Sequence, residues 1–113
     1  MKLIIIFLNR IEYLEDILSA FLEIGVTGAT VMDSMGMGRI ISNNVPIFAG
    51  LKDAFPGSSP GNKAIFAVVK DDKMVEKASA MVQEICGNFN EPGSGLMISL
   101  PIEKAFGFKD LSV

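Results

Sequence analysis

The sequence predicts an α+β sandwich, and three observations carry that prediction. Four short segments rich in β-branched residues alternate with two segments of helical periodicity, in the order β-α-β, long loop, β-α-β. Each helical segment follows a strand and stops at a glycine. The chain has 113 residues, enough for one hydrophobic core but not two, so 1–113 reads as a single domain. Two helices placed after alternate strands make a ferredoxin-like βαββαβ arrangement: a four-stranded antiparallel sheet with both helices on one face and a long loop between strands 2 and 3.

Leu3-Ile4-Ile5-Ile6-Phe7-Leu8 is a continuous apolar run. It predicts a strand covered on both faces, with another subunit supplying the cover that the helices do not. Asn9 then offers a cap, and Glu12 stands three residues on, at capping-box spacing. Ile11, Leu14, Ile17, Leu18, Phe21 and Leu22 follow at helical spacing, with Glu12, Glu15, Asp16 and Glu23 on the other side. The pattern predicts an amphipathic helix of about fourteen residues, closed by Gly25. Thr30 to Met35 is the second strand. Residues 40–61 form the long loop, a length that usually marks a functional segment. It is rich in Pro, Gly, Ser and Asn, yet carries Val45, Ile47, Phe48, Leu51 and Phe55, which a purely solvated loop does not need.

Lys63 to Val69 is the third strand. Asp71 and Asp72 open the second helix by capping and by their favourable interaction with its dipole. Met74, Val75, Ala78, Met81, Val82, Ile85 and Cys86 form its apolar stripe, and Gly87 ends it. Leu96 to Leu100 is the fourth strand, and Pro101 ends its run. In the tail, Phe106 and Phe108 stand two apart, as on one face of a further short strand.

Composition removes several functions. With no His and one Cys, a zinc site and any His-dependent nucleophilic engine lack their parts. A net charge of −3 and the absence of Trp argue against a nucleic-acid surface. The longest apolar run is far below a membrane span and lacks the flanks of a signal peptide, so no membrane span is expected and the cytoplasm is the expected compartment. The mean hydropathy of +0.43 is high for a small monomer and points to apolar surface covered by other subunits or a partner.

Few residues suggest chemistry. Gly36-Met37-Gly38-Arg39 follows a strand, where glycine backbone N–H groups can approach an anion and the Arg39 guanidinium adds a charged fork. The plainer reading is a hinge with a solvated arginine. Gly93-Ser94-Gly95 reads as a tight turn. Taken together, the two glycine sets could face each other across a subunit boundary and hold a phosphate-rich ligand. Met35 and Met37 either line that pocket or simply pack. Glu15-Asp16 and Asp71-Asp72 are structural carboxylates, Cys86 is a core thiol and Tyr13 a packing residue, so no catalytic residue is expected.

Gly25-Val26-Thr27-Gly28-Ala29-Thr30-Val31, followed by Gly36-Met37-Gly38-Arg39, resembles the PII nitrogen-regulatory signal proteins. In that family a G-[IV]-T-G-x-T-V stretch leads to G-x-G-R at the base of a long loop, the T-loop. Gly93-Ser94-Gly95 is similar to the family's second glycine loop, usually G-D-G-K, and the Asp-Asp start of the second helix also fits. The resemblance spans nearly the whole chain. It implies a non-enzymatic homotrimer that binds ATP or ADP between subunits, often with magnesium and 2-oxoglutarate. Its loops dock on enzymes, transporters or regulators of nitrogen or carbon metabolism.

On this chain the implied nucleotide site comprises Thr30, Gly36, Met37, Gly38, Arg39 and Val68, with Gly93, Ser94 and Gly95 at the phosphates. Lys104 and Lys109 are the available tail cations. Val45, Ile47, Phe48 and Leu51 either anchor the regulated partner or fold back on the trimer. The chain departs from the family where it has Ile40 for Gln, Leu96 for Lys, Ser94 for Asp and Gly107 for Arg, and residues 40–61 hold no Tyr to be modified. Losing two or three charge-assisted contacts of about 1.5–3 kcal/mol each lowers affinity by roughly three decades or more. Tight binding of ATP with magnesium and 2-oxoglutarate is therefore not expected. ADP, AMP, a cyclic nucleotide or no nucleotide stay open. Two rivals remain: a trimeric assembly protein of the CutA type without nucleotide signalling, and a small acylphosphatase-like enzyme using Arg39 with Asn43 or Asn44.

Overall fold

The computed structural model describes residues 1–37, 62–91, 93 and 95–108. Four strands, β1 (Lys2–Leu8), β2 (Ala29–Asp33), β3 (Lys63–Val69) and β4 (Leu96–Pro101), form one sheet in the order β2-β3-β1-β4. Every neighbouring pair is antiparallel. With α1 (Leu14–Glu23) after β1 and α2 (Asp72–Cys86) after β3, this is the ferredoxin-like arrangement the sequence predicts.

The register sorts the strand residues into two faces, because residues directly opposite in a ladder point the same way. Ile4, Ile6 and Leu8 of β1 share one face with Ile65, Ala67 and Val69 of β3. They are buried and form the core with Ile17 and Phe21 of α1 and Ala78, Val82 and Cys86 of α2. Burial pushes the Cys86 thiol above its ordinary pKa, which makes it an inert packing group.

Local chemistry explains the helix ends. Asp71 is the N-cap of α2, and its carboxylate accepts from the Met74 amide at 3.0 Å. At the end of α1 the Val26 amide donates to the Phe21 carbonyl at 2.8 Å and the Gly25 amide to that of Leu22 at 3.2 Å. This pair is a Schellman motif, with Gly25 at φ +94° in the position that disfavours a Cβ. Val26 and Phe21 are both buried in the core, so the motif also fixes where the chain turns towards β2.

Four expectations need correction. The first helix is not one unit from a cap at Asn9. A 3-10 turn, Ile11–Tyr13, precedes α1, its N-cap position is Arg10, and that position makes no side-chain cap bond. Ile11 and Leu22, assigned to the buried stripe, are exposed. The second strand ends at Asp33 rather than Met35. The tail beyond Pro101 forms no further strand over 102–108: it departs after the Ile102 amide bonds the Met1 carbonyl at 3.1 Å, and Phe106 is 92% exposed.

Within one chain the far face of β1 carries no helix, as the predicted topology requires. Met32, Ala64, Phe7 and Leu96 lie in one row across the sheet; Thr30, Phe66, Ile5 and Ile98 in the next; Val68, Leu3 and Leu100 in a third. Leu96 is 54% exposed, Met32 49% and Ile98 40%. A solvated antiparallel face normally alternates to polar residues, and this one is apolar apart from Thr30. Strand spacing gives it an extent on the order of 400 Å², the size at which an apolar patch marks a contact surface.

Candidate functional site

The segment between β2 and β3 leaves and rejoins the sheet at one end, through a braced neck. Lys63 donates to the Asp33 carboxylate across the β2–β3 ladder, and the Ser34 amide donates to the Asn62 carbonyl at 3.1 Å. The hydrogen bond from Lys63 and its positive charge hold the Asp33 carboxyl below the usual carboxylate range. Asn62 is the one buried polar residue among those described, and its amide nitrogen lies 3.9 Å from where a Cβ on Gly36 would sit. Gly36 follows the end of β2, with Met35 and Met37 exposed on either side.

The second glycine set lies at the same end of the sheet, on the opposite edge. Gly95 precedes β4, and Gly93 receives a 3.4 Å hydrogen bond from the Asn9 side chain at the end of β1. Gly95 has φ +126°, and a Cβ there would stand 2.7 Å from the Phe7 carbonyl oxygen. Its glycine is therefore demanded by the chain's own packing. Gly36 and Gly28 differ. Among the described residues, a Cβ at Gly36 meets nothing closer than 3.9 Å, and one at Gly28 meets nothing within 4 Å. Nothing in the described chain requires glycine at 28 or 36, whereas close approach by a ligand or a second copy would.

With the order β2-β3-β1-β4, three strand spacings of roughly 4.8 Å, about 14 Å in all, separate the edge bearing Gly36 from the edge bearing Gly95. Within one chain Gly36 and Gly95 stand too far apart to touch a single phosphate. Thr30 and Val68 lie on the bare apolar face. Lys104 is exposed beyond the far end of β4, which runs about 20 Å from Gly95, and joins neither glycine set within one chain. Gly38, Arg39, Ser94, Lys109 and the loop residues Val45, Ile47, Phe48 and Leu51 lie outside the described residues.

At the opposite end of the sheet a second concavity forms where β2 begins and β3 ends. Gly25, Val26, Thr27, Gly28, Val68, Val69, Lys70, Met74 and Phe108 line it, and its volume is ≈ 20 Å³, room for about one water. An apolar groove of ≈ 190 Å³ lies between α1 and β2, and a groove of mixed lining, with Glu76, Ser79 and Ser99 beside apolar side chains, of ≈ 130 Å³ between α2 and β4.

Sequence reasoning did not single out Asp33, Lys63 or Asn62 as functional. The first two become partners only through the β2–β3 register. Asn62 carries a legible signal, a polar residue immediately before a strongly apolar strand. Phe108 was noticed, but as a strand residue. Among the described residues no group of His, Cys, Asp and Glu could hold a metal, and no helix is long and apolar enough to cross a membrane. No protein-family model matches the chain, and no curated protein matches it.

Proposed function

We propose that this chain is a non-enzymatic, PII-like regulator of nitrogen or carbon metabolism that acts as a homotrimer in the cytoplasm. A small effector, an adenine nucleotide by the resemblance, binds between subunits and biases loop 40–61 between two states. The loop then engages an enzyme, transporter or regulator. The effector signals only through a difference in its affinity for the two loop states.

The observation that supports this reading best is the placement of the two glycine sets. Gly36 and Gly95 sit at one end of the sheet on opposite edges, and the face between those edges is apolar and exposed. Packing copies on that face is a way to bring the Gly36 edge of one chain towards the Gly95 edge of another. The room for a Cβ at Gly36 and Gly28 also favours a body outside the chain as the reason for glycine there.

The test is calorimetric titration with ATP, ADP, AMP and cyclic AMP, with and without magnesium and 2-oxoglutarate, beside the mass of the assembly by sedimentation. A trimer that binds one nucleotide at micromolar concentration, and loses it in Arg39→Ala while staying trimeric, bears the proposal out. A trimer that binds none of them is the assembly protein without signalling, which the apolar face favours equally. Turnover of any phosphate ester makes it an enzyme.

A further inference from the structure

Among the described residues the sheet has two open edges, the outer sides of β2 and β4. An edge strand carries unpaired backbone N–H and C=O groups, and chains that stay monomeric guard them with lysine or an interior proline. Neither edge is guarded here. Leu96 to Leu100 hold no charge, and Pro101 stands at the last position of β4, where it removes no interior donor. In β2 the one charged residue, Asp33, is engaged by the chain's own Lys63. The bare face offers on the order of 400 Å² per copy, against the roughly 800 Å² per partner of a stable contact, so face packing alone leaves an assembly short of area.

Three antiparallel steps separate β2 from β4, so the two edges run in opposite senses. β4 of one copy can therefore join β2 of the next as one more antiparallel pair. Length and face then fix the register. All five residues of β2 fit inside the six of β4 only with Asp33 opposite Leu96 or Met97. Leu96 belongs to the bare face, whereas Asp33 and Met97 share the helix side, so only Met97 matches. Thr30 then lies opposite Leu100 and Met32 opposite Ile98, all on the bare face. We propose that copies of this chain join edge to edge, β4 of one to β2 of the next in that register, with the bare faces turned inward. The contact is head to tail and, at one third of a turn per copy, closes into the proposed trimer. It sets Gly36 of one copy beside Gly95 of the next, about one strand spacing away instead of about 14 Å. The inference rests on the homotrimer reading and names the contact that builds it.

The experiment is disulfide trapping in the full chain. Thr30→Cys with Leu100→Cys places two thiols opposite each other at the joint, and Thr30→Cys with Leu96→Cys places them about 13 Å out of register as the control. Within one chain β2 and β4 stand about 14 Å apart, too far for a disulfide, so every bond formed links two copies. Cys86 is buried and takes no part. Thr30, Leu96 and Leu100 are exposed, so the variants are expected to fold, and Met32→Cys with Ile98→Cys tests the same register should the first pair fail to fold. Sedimentation first gives the mass of the unsubstituted chain. Under oxidised glutathione the in-register pair is expected to join copies covalently up to the trimer, with the 30–100 link read by mass spectrometry, at least about fivefold more than the control pair. If the chain assembles but the in-register pairs link no more than the control, other surfaces hold the copies and the inference alone is overturned. A chain that sediments as a monomer, its edges left to an extended segment of another protein, overturns the homotrimer reading and the inference together.

Discussion

Two glycines, Gly36 and Gly95, carry opposite meanings although both were drawn from the same kind of motif. Gly95 combines φ +126° with a backbone carbonyl 2.7 Å from any added Cβ. Gly95→Ala is expected to destabilise the fold by about 1–3 kcal/mol, because neither the strain nor the clash with the Phe7 carbonyl can relax through a flexible side chain. Urea unfolding measures this directly. Gly36→Ala is expected to leave stability within about 0.5 kcal/mol, since the nearest atom of the described residues lies 3.9 Å away. In the proposed assembly it should instead weaken nucleotide binding, so the two substitutions separate a packing glycine from a ligand glycine. Sequence spacing could not make that distinction. The carbonyl that excludes a side chain at position 95 belongs to β1, more than eighty positions away in the chain.

At the scale of elements, the neck of the loop is the part most open to test. The Asp33–Lys63 contact and the Ser34–Asn62 hydrogen bond close it just where β2 and β3 stop pairing. Deleting residues 42–58 is therefore expected to leave the four-stranded sheet and both helices intact, with the circular dichroism spectrum and urea midpoint of the parent. Collapse of the deletion variant would mean that the loop is part of the core and not a moving arm.

The acid dependence of the neck follows from the lowered Asp33 pKa. A carboxylate with a folded pKa below its unfolded value of about 3.9 stabilises the folded state fully above that value, and the contribution fades as pH falls through the lower, folded pKa. The neck should hold unchanged between about pH 5 and 8, and amide exchange at Ser34 and Lys63 should rise only in stronger acid. Lys63→Met should abolish that acid response.

Helix boundaries were legible where they depend on adjacent residues, as at Asp71 and Gly25. The start of α1 was not, because a 3-10 turn and an α-helix share their apolar spacing over so few residues. The tail misled for a related reason. Two phenylalanines at period two fit a strand, but a strand also needs a free neighbour to pair with. Past Pro101 the chain leaves the only edge it had been following.

For the whole molecule, the strand order and the bare face matter together. The sequence already implied a face without helices, and the high mean hydropathy implied that something covers it. What it could not give was the register, which gathers Phe7, Ile98, Leu96 and Met32 on that face and leaves them outside. Ile98→Glu places a charge in the middle row of the patch, on its edge strand β4, without entering the core. In the proposed homotrimer it is expected to yield a folded monomer by sedimentation, more soluble than the parent and with an unchanged circular dichroism spectrum. An assembly that survives this change must be held together by other surfaces, such as the grooves beside α1 and α2.

The distance of about 14 Å between the two glycine edges has a consequence for how any shared ligand behaves on dilution. A phosphate that touches both edges has to lie between two copies, so its site comes into being only when copies meet. Occupancy would then depend on the concentration of the protein as well as that of the ligand. Such a ligand would tighten the assembly by the same factor that the assembly tightens the ligand. If the proposed regulator works this way, a cell holding too few copies would be deaf to the signal, and the amount of this protein made would set the level at which it begins to hear.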